Sequence, residues 1–87
     1  MNSARPPVVA VRLFAAAREA AGTGHDEIAA DTVGIALAGL SVRYGERFGA
    51  VLAHSRVWVN GSPADPSDAL AAGDELAVLP PVSGGAT

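Results

Sequence analysis

Leu76-Ala77-Val78-Leu79-Pro80-Pro81-Val82-Ser83-Gly84-Gly85 is an apolar strand halted by a proline pair and followed by a glycine pair. Neither proline donates a ladder hydrogen bond, and each holds its φ near −65°. The chain therefore leaves a sheet at Leu79 and continues in an extended, polyproline-like direction. Alternation places Leu76 and Val78 on one face of the strand and Glu75, Ala77 and Leu79 on the other. With Glu75 outward, Leu79 is outward too. Val82 is the last side chain able to anchor the segment, and the glycines after it allow the closest approach to another surface. Fully extended, Val82 to Gly85 reach about 13 Å. The plainest alternative is a frayed end with no role, the common fate of chain termini.

Working outward, Val8-Val9-Ala10-Val11-Arg12-Leu13-Phe14 is β-branched and apolar, a strand that suits the sheet centre. With Arg12 facing solvent, Val9, Val11 and Leu13 point inward and Phe14 shares the outer face. Phe14 either closes the strand end or forms a contact site. Ala15–Ala21 suits a short helix, ended by Gly22-Thr23-Gly24. His25–Ala30 is a more polar strand for an edge. Asp31 and Thr32 offer capping oxygens to a helix whose apolar face is Val33, Ala36, Leu37, Leu40 and Tyr44, at i, i+3, i+4, i+7 and i+11. Gly34 and Gly39 weaken that helix, and Gly45 ends it. Arg47–Leu52 is expected to be an irregular connection. Arg56-Val57-Trp58-Val59 is a strand, Asn60-Gly61 a hairpin turn, and Ser62–Ala64 the partner, with Pro63 marking an edge.

This order predicts an α+β, β-grasp fold, a mixed sheet cupping one principal helix with the first and last strands adjacent at its centre. The expected core is Val9, Val11, Leu13, Val33, Leu37, Leu40, Val57, Val59, Leu76 and Val78. Trp58 and Tyr44 are expected as core or half-core residues. Phe14, Pro63 and Leu79 fall together on the helix-free face, beside the departing tail, as a partner-binding patch. The organisation is a loose leader over 1–7, a domain over 8–81 and a tail over 82–87.

Composition closes several routes. At 87 residues with 49% hydrophobic content the chain is one globular domain. Without cysteine there is no disulfide, thiolate nucleophile or cysteine metal site. His25 and His54 lack ligand spacing, so no metal is expected. A net charge of −3, with six arginines and no lysine, offers no basic stripe for nucleic acid. No apolar run spans a membrane, and Arg12 interrupts the one that could pass for a signal peptide. A soluble, cytoplasmic protein is expected. No nucleophile–base pair, carboxylate pair or phosphate loop supports catalysis by the chain alone. Asp65, Asp68 and Asp74 are turn formers.

The reactive feature left is a chain end. A carboxylate is a poor electrophile, but conversion to an acyl-adenylate supplies a leaving group that a sulfur donor can displace. The product is a C-terminal thiocarboxylate on a flexible arm, with the domain providing docking and the tail the reacting atom.

These residues resemble the ubiquitin-like sulfur carriers, the MoaD/ThiS family, and within it the small subunit of molybdopterin synthase. The likeness runs through Val11-Arg12-Leu13-Phe14-Ala15, Arg18-Glu19-Ala20-Ala21-Gly22, Val59-Asn60-Gly61, Leu70–Ala77 and Pro80-Pro81-Val82-Ser83-Gly84-Gly85. It implies no bound cofactor, and ATP consumed by an adenylyltransferase of the ubiquitin-activating type. It further implies sulfur donation in molybdopterin biosynthesis, in a complex with the synthase large subunit. By position, Gly85 carries the adenylate and then the thiocarboxylate. Pro80, Pro81, Val82, Ser83 and Gly84 thread into the partner, and Phe14 and Leu79 contact it. Family members usually end at the second glycine, whereas Ala86 and Thr87 follow here, so a peptidase is expected to remove them. Three other readings stay open: a carrier for thiamine, cysteine or a secondary metabolite, a β-grasp binding module never activated, and a protein modifier conjugated through Gly85.

Overall fold

In the computed structural model, which describes residues 5–81, the last apolar run is paired along both flanks. β5 (Glu75–Leu79) runs parallel to β1 (Val8–Leu13), with Val11 opposite Leu76 and Leu13 opposite Val78. On its other side it lies antiparallel to β3 (Arg56–Val59), with Val57 opposite Val78. β2 (His25–Ala29) pairs outside β1, and β4 (Ser62–Pro63) outside β3. The sheet order is β2-β1-β5-β3-β4. A parallel central pair cannot be joined by a hairpin and needs a crossover. Everything from residue 14 to residue 74 forms that crossover, including α1 (Ala15–Ala21), α2 (Val33–Tyr44) and α3 (Glu46–Leu52). The expected β-grasp is the fold found.

The strand phases inferred from alternation hold. Val9, Val11, Leu13, Leu76 and Val78 are buried against Val33, Ala36 and Leu40 of α2. Thr32 caps α2 as expected, its Oγ1 accepting the Ile35 N–H at 3.2 Å. Gly39 has a specific purpose. A Cβ there would lie 2.7 Å from Ile28 Cδ1, so its absence lets the helix settle on β2. Asn60 and Gly61 both have positive φ, 51° and 84°, the geometry that matches the twist of a two-residue hairpin. Asn60 also bonds beyond the hairpin, through its side-chain amide to Asp74 and to the Glu75 N–H. That bond ties the turn to the start of β5. Asp65, Asp68 and Asp74 each accept a nearby backbone N–H, as turn formers do.

Two expectations need correction. Residues 46–52 are the helix α3 and no irregular connection, and Phe48 within it is fully buried. Its ring packs on Tyr44, four residues back, with centroids 5.2 Å apart, and its burial in the core supplies the tertiary contact that so short a helix needs. Leu37, Val57 and Val59 are half-buried at the margin of the core, while Ala17, Ala30, Phe48 and Leu70 occupy interior places not assigned from sequence.

Candidate docking face and tail root

The helix-free face of the sheet is organised by three aligned rows. Register pairs share a face, so Arg12 of β1, Ala77 of β5, Trp58 of β3 and Pro63 of β4 stand side by side. One step toward the tail, Leu79 lies opposite Arg56. Ala10 and Glu75 form the row on the other side. Phe14 follows β1 directly. Its N–H donates to the Val78 carbonyl at 3.3 Å, which fixes it at the same end of the sheet as Leu79.

Phe14 is 39% exposed. The Arg12 guanidinium carbon lies 5.6 Å from its ring centroid, a cation–π approach that places both side chains on the outer face. Ala15, the residue after it, adopts a left-handed φ of 50°, a conformation costly for a residue with a Cβ. That corner sends the chain into α1 and leaves Phe14 at the rim. Arg12 also meets Glu75 at 3.4 Å. With both side chains about half exposed, such a pair contributes little to stability. Among the described residues Arg56 has no acidic partner.

The structure therefore brings Phe14 and Leu79 to one end of one face, as expected, and sets Pro63 on that face next to Trp58 rather than next to Leu79. Trp58 is the residue that joins them. Sequence reading gave its partial burial but no face. The signal was available in the alternation, because Val57 and Val59 pointing inward forces Trp58 outward. Small Ala77 between Arg12 and Trp58 leaves a shallow apolar floor.

Pro80 and Pro81 continue from Leu79, with a concavity on each side. A groove of about 380 Å³ on the sheet-face side is lined by His54, Arg56, Trp58, Leu79 and the prolines. A wider one of about 640 Å³ lies against Ala15, Ala16, Ala50 and Val51, and shares His54 and the prolines. The root of the tail thus stands as a ridge between two mainly apolar grooves. Val82, Ser83, Gly84, Gly85, Ala86 and Thr87 lie outside the described residues. Among the described residues no group of three or more histidine or acidic side chains is placed to hold a metal. No described helix is long and apolar enough to cross a membrane.

Residues 11–85 match the ThiS family. The chain belongs to the ThiS family. Its fold is accordingly a ThiS/MoaD-type, ubiquitin-like sulfur-carrier fold. Among solved structures, this ThiS-family chain is similar to SAMP1 from Haloferax volcanii, with 36% identity and a TM-score of 0.76 over 90% of this chain and 99% of that one. It is also similar to a putative molybdopterin converting factor subunit 1 from Pyrococcus furiosus, at 28% identity and a TM-score of 0.79, covering 87% and 99% of the two chains. A further likeness is to a chain in the complex of subunits 1 and 2 of the molybdopterin-converting factor from Helicobacter pylori. There identity is 25% and the TM-score 0.66, over 90% of this chain and 99% of that chain. No curated protein matches the chain.

Proposed function

We propose that this protein carries sulfur as a thiocarboxylate on Gly85 and donates it in molybdopterin biosynthesis. The observation that carries the reading is the helix-free face at the tail root, where Phe14 and Leu79 stand at the departure point of a Pro-Pro-Val-Ser-Gly-Gly segment and Trp58 continues the apolar surface to Pro63. A carrier must be held by its partners while its end reacts elsewhere, and a face on the sheet beside a glycine-ended arm divides those tasks. Similarity to two molybdopterin-converting factor chains supports the choice of pathway.

In this scheme a peptidase first removes Ala86 and Thr87 and frees the Gly85 carboxylate. An adenylyltransferase of the ubiquitin-activating type grips the helix-free face. The carboxylate then attacks the α-phosphate of ATP, expelling pyrophosphate and forming the acyl-adenylate. A sulfur nucleophile displaces AMP and leaves the thiocarboxylate. The same face next docks on the synthase large subunit, and Pro80 to Gly84 thread the sulfur to the precursor. ATP belongs to the activating partner, and the carrier itself supplies no catalytic group.

The test is transfer in a defined system. The thiocarboxylated 85-residue form, mixed with the large subunit and the pterin precursor, should lose its sulfur and yield the dithiolene product. Sulfur retained on the carrier there, but released to a different acceptor, would move the protein to another pathway. A second reading, a protein modifier joined to other proteins through Gly85, draws on the likeness to SAMP1, a small archaeal modifier protein. It predicts covalent adducts of the trimmed form on other proteins, which the sulfur-donor reading does not.

A further inference from the structure

β2 is an edge strand, and an edge strand exposes unpaired backbone groups on which another chain can build. Which groups those are follows from the ladder with β1. Leu13 N–H donates to Gly24 O and Ala30 N–H to Pro7 O, each at 2.9 Å. These bonds make Val11–Asp26 and Val9–Ile28 the hydrogen-bonded pairs, so Arg12–His25, Ala10–Glu27 and Val8–Ala29 are the intervening ones. The N–H and C=O of His25, Glu27 and Ala29 therefore point away from the sheet.

Two of these three positions are already occupied by the protein's own side chains. The Thr23 hydroxyl accepts the His25 N–H at 3.3 Å and donates to the His25 carbonyl at 3.0 Å. At Glu27, Asp26 Oδ1 accepts the N–H at 2.7 Å, while Arg43 donates to the carbonyl at 2.8 Å. Arg43 also donates to Asp26 Oδ2 at 2.7 Å, and the Tyr44 hydroxyl donates to the same oxygen. The last turn of α2 is thus clamped over the strand edge. Ala29 alone among them makes no such bond within the described residues, and one rung is too little for a strand to add. At the opposite edge, β4 is two residues long and one is Pro63, which has no N–H.

We infer that the Thr23, Asp26 and Arg43 side chains seal the β2 edge, so that neither a second copy of this chain nor a partner strand can extend the sheet there. Recognition is left to the helix-free face and the tail. The seal matters for a carrier whose sheet has an apolar, partner-seeking face. An open β2 edge would let two copies join into one continuous sheet and compete with the partners the face must meet.

The test compares wild type, T23V/D26A/R43A and the conservative T23S/R43K, all as the full chain, by sedimentation across a wide concentration range. Wild type and T23S/R43K should stay monomeric. The triple variant should self-associate roughly tenfold or more tightly, with new hydrogen-exchange protection at His25 and Glu27. A folded triple variant as monomeric as wild type would overturn the inference, as would a wild-type dimer joined through β2. If the triple variant unfolds, wild-type hydrogen exchange decides the matter. The Glu27 amide should exchange more slowly than that of Ala29, and equally fast exchange at both would refute a seal. None of these outcomes depends on the sulfur pathway.

Discussion

Phe48→Ala is the sharpest test of how the domain is held together. Phe48 is fully buried in α3, and its ring meets Tyr44 at 5.2 Å where α2 gives way to α3. Truncating a buried phenylalanine typically costs about 3–5 kcal/mol, the transfer loss plus the cavity left behind. The aromatic pairing contributes about 0.5–1.5 kcal/mol beyond area alone. Local collapse offers little relief, because α3 is only seven residues long and ends in the Ala53 turn. An expected loss near 4 kcal/mol then removes a third or more of the roughly 4–13 kcal/mol that a chain of this length commands. In urea titration the midpoint should fall by about 4 M at unchanged slope, taking a slope near 1 kcal/mol/M. A loss below about 1 kcal/mol would mean that residues 46–52 are a loosely held connection after all, and that Phe48 is not part of the core.

Other substitutions probe the face and the core separately. Leu40→Ala should cost about 2–5 kcal/mol, read as a fall in the denaturation midpoint, because the side chain is fully buried. Phe14→Asp or Leu79→Asp should leave the fold intact but weaken binding of both the activating enzyme and the large subunit by several kcal/mol, measured by calorimetry, since docking would bury an unpaired charge. Trp58 is the single tryptophan, so its emission should shift to the blue when either partner docks. Burial pushes the Asp26 carboxyl up, but hydrogen bonds from Tyr44, the Glu27 N–H and Arg43 outweigh it, and its pKa lies below the ordinary 3.8. A carboxyl lowered in the folded state contributes stability that is present above its unfolded pKa and lost as the pH falls through the folded value. Wild type should therefore lose more stability than Asp26→Asn as the pH drops below about 4.

The elements that alternation and turn chemistry define were legible in advance. β1 and β5 each carry a clean period of two, and the parallel pair they form follows from two interior-type strands separated by a long crossover. Asn60-Gly61 needs positive φ at both positions, which few dipeptides tolerate, and the hairpin follows. α3 was not legible, because a seven-residue segment containing Gly49 has almost no helical tendency of its own. Its order comes from the burial of Phe48 in a core shared with α1 and α2, which no local pattern encodes. The half-burial of Leu37, Val57 and Val59 has a similar origin. Alternation tells which way a side chain points, not whether an element lies above it. In the candidate docking face, Phe14 and Leu79 emerged from strand phase alone, whereas the neighbourhood of Pro63 depended on register, which placed Trp58 beside it. The sealed β2 edge was beyond sequence reading, since the local bonds of Thr23 and Asp26 close it only together with Arg43, which the tertiary fit of α2 brings to the strand.

Mass spectrometry of the full chain and of the form ending at Gly85, each incubated with ATP, the activating enzyme and sulfide, bears most directly on the carrier itself. The 85-residue form should exchange one carboxylate oxygen for sulfur and the full chain should remain unchanged. Efficient thiocarboxylation of the untrimmed chain at Thr87, or no sulfur uptake by the form ending at Gly85, would contradict a carrier that reacts through Gly85.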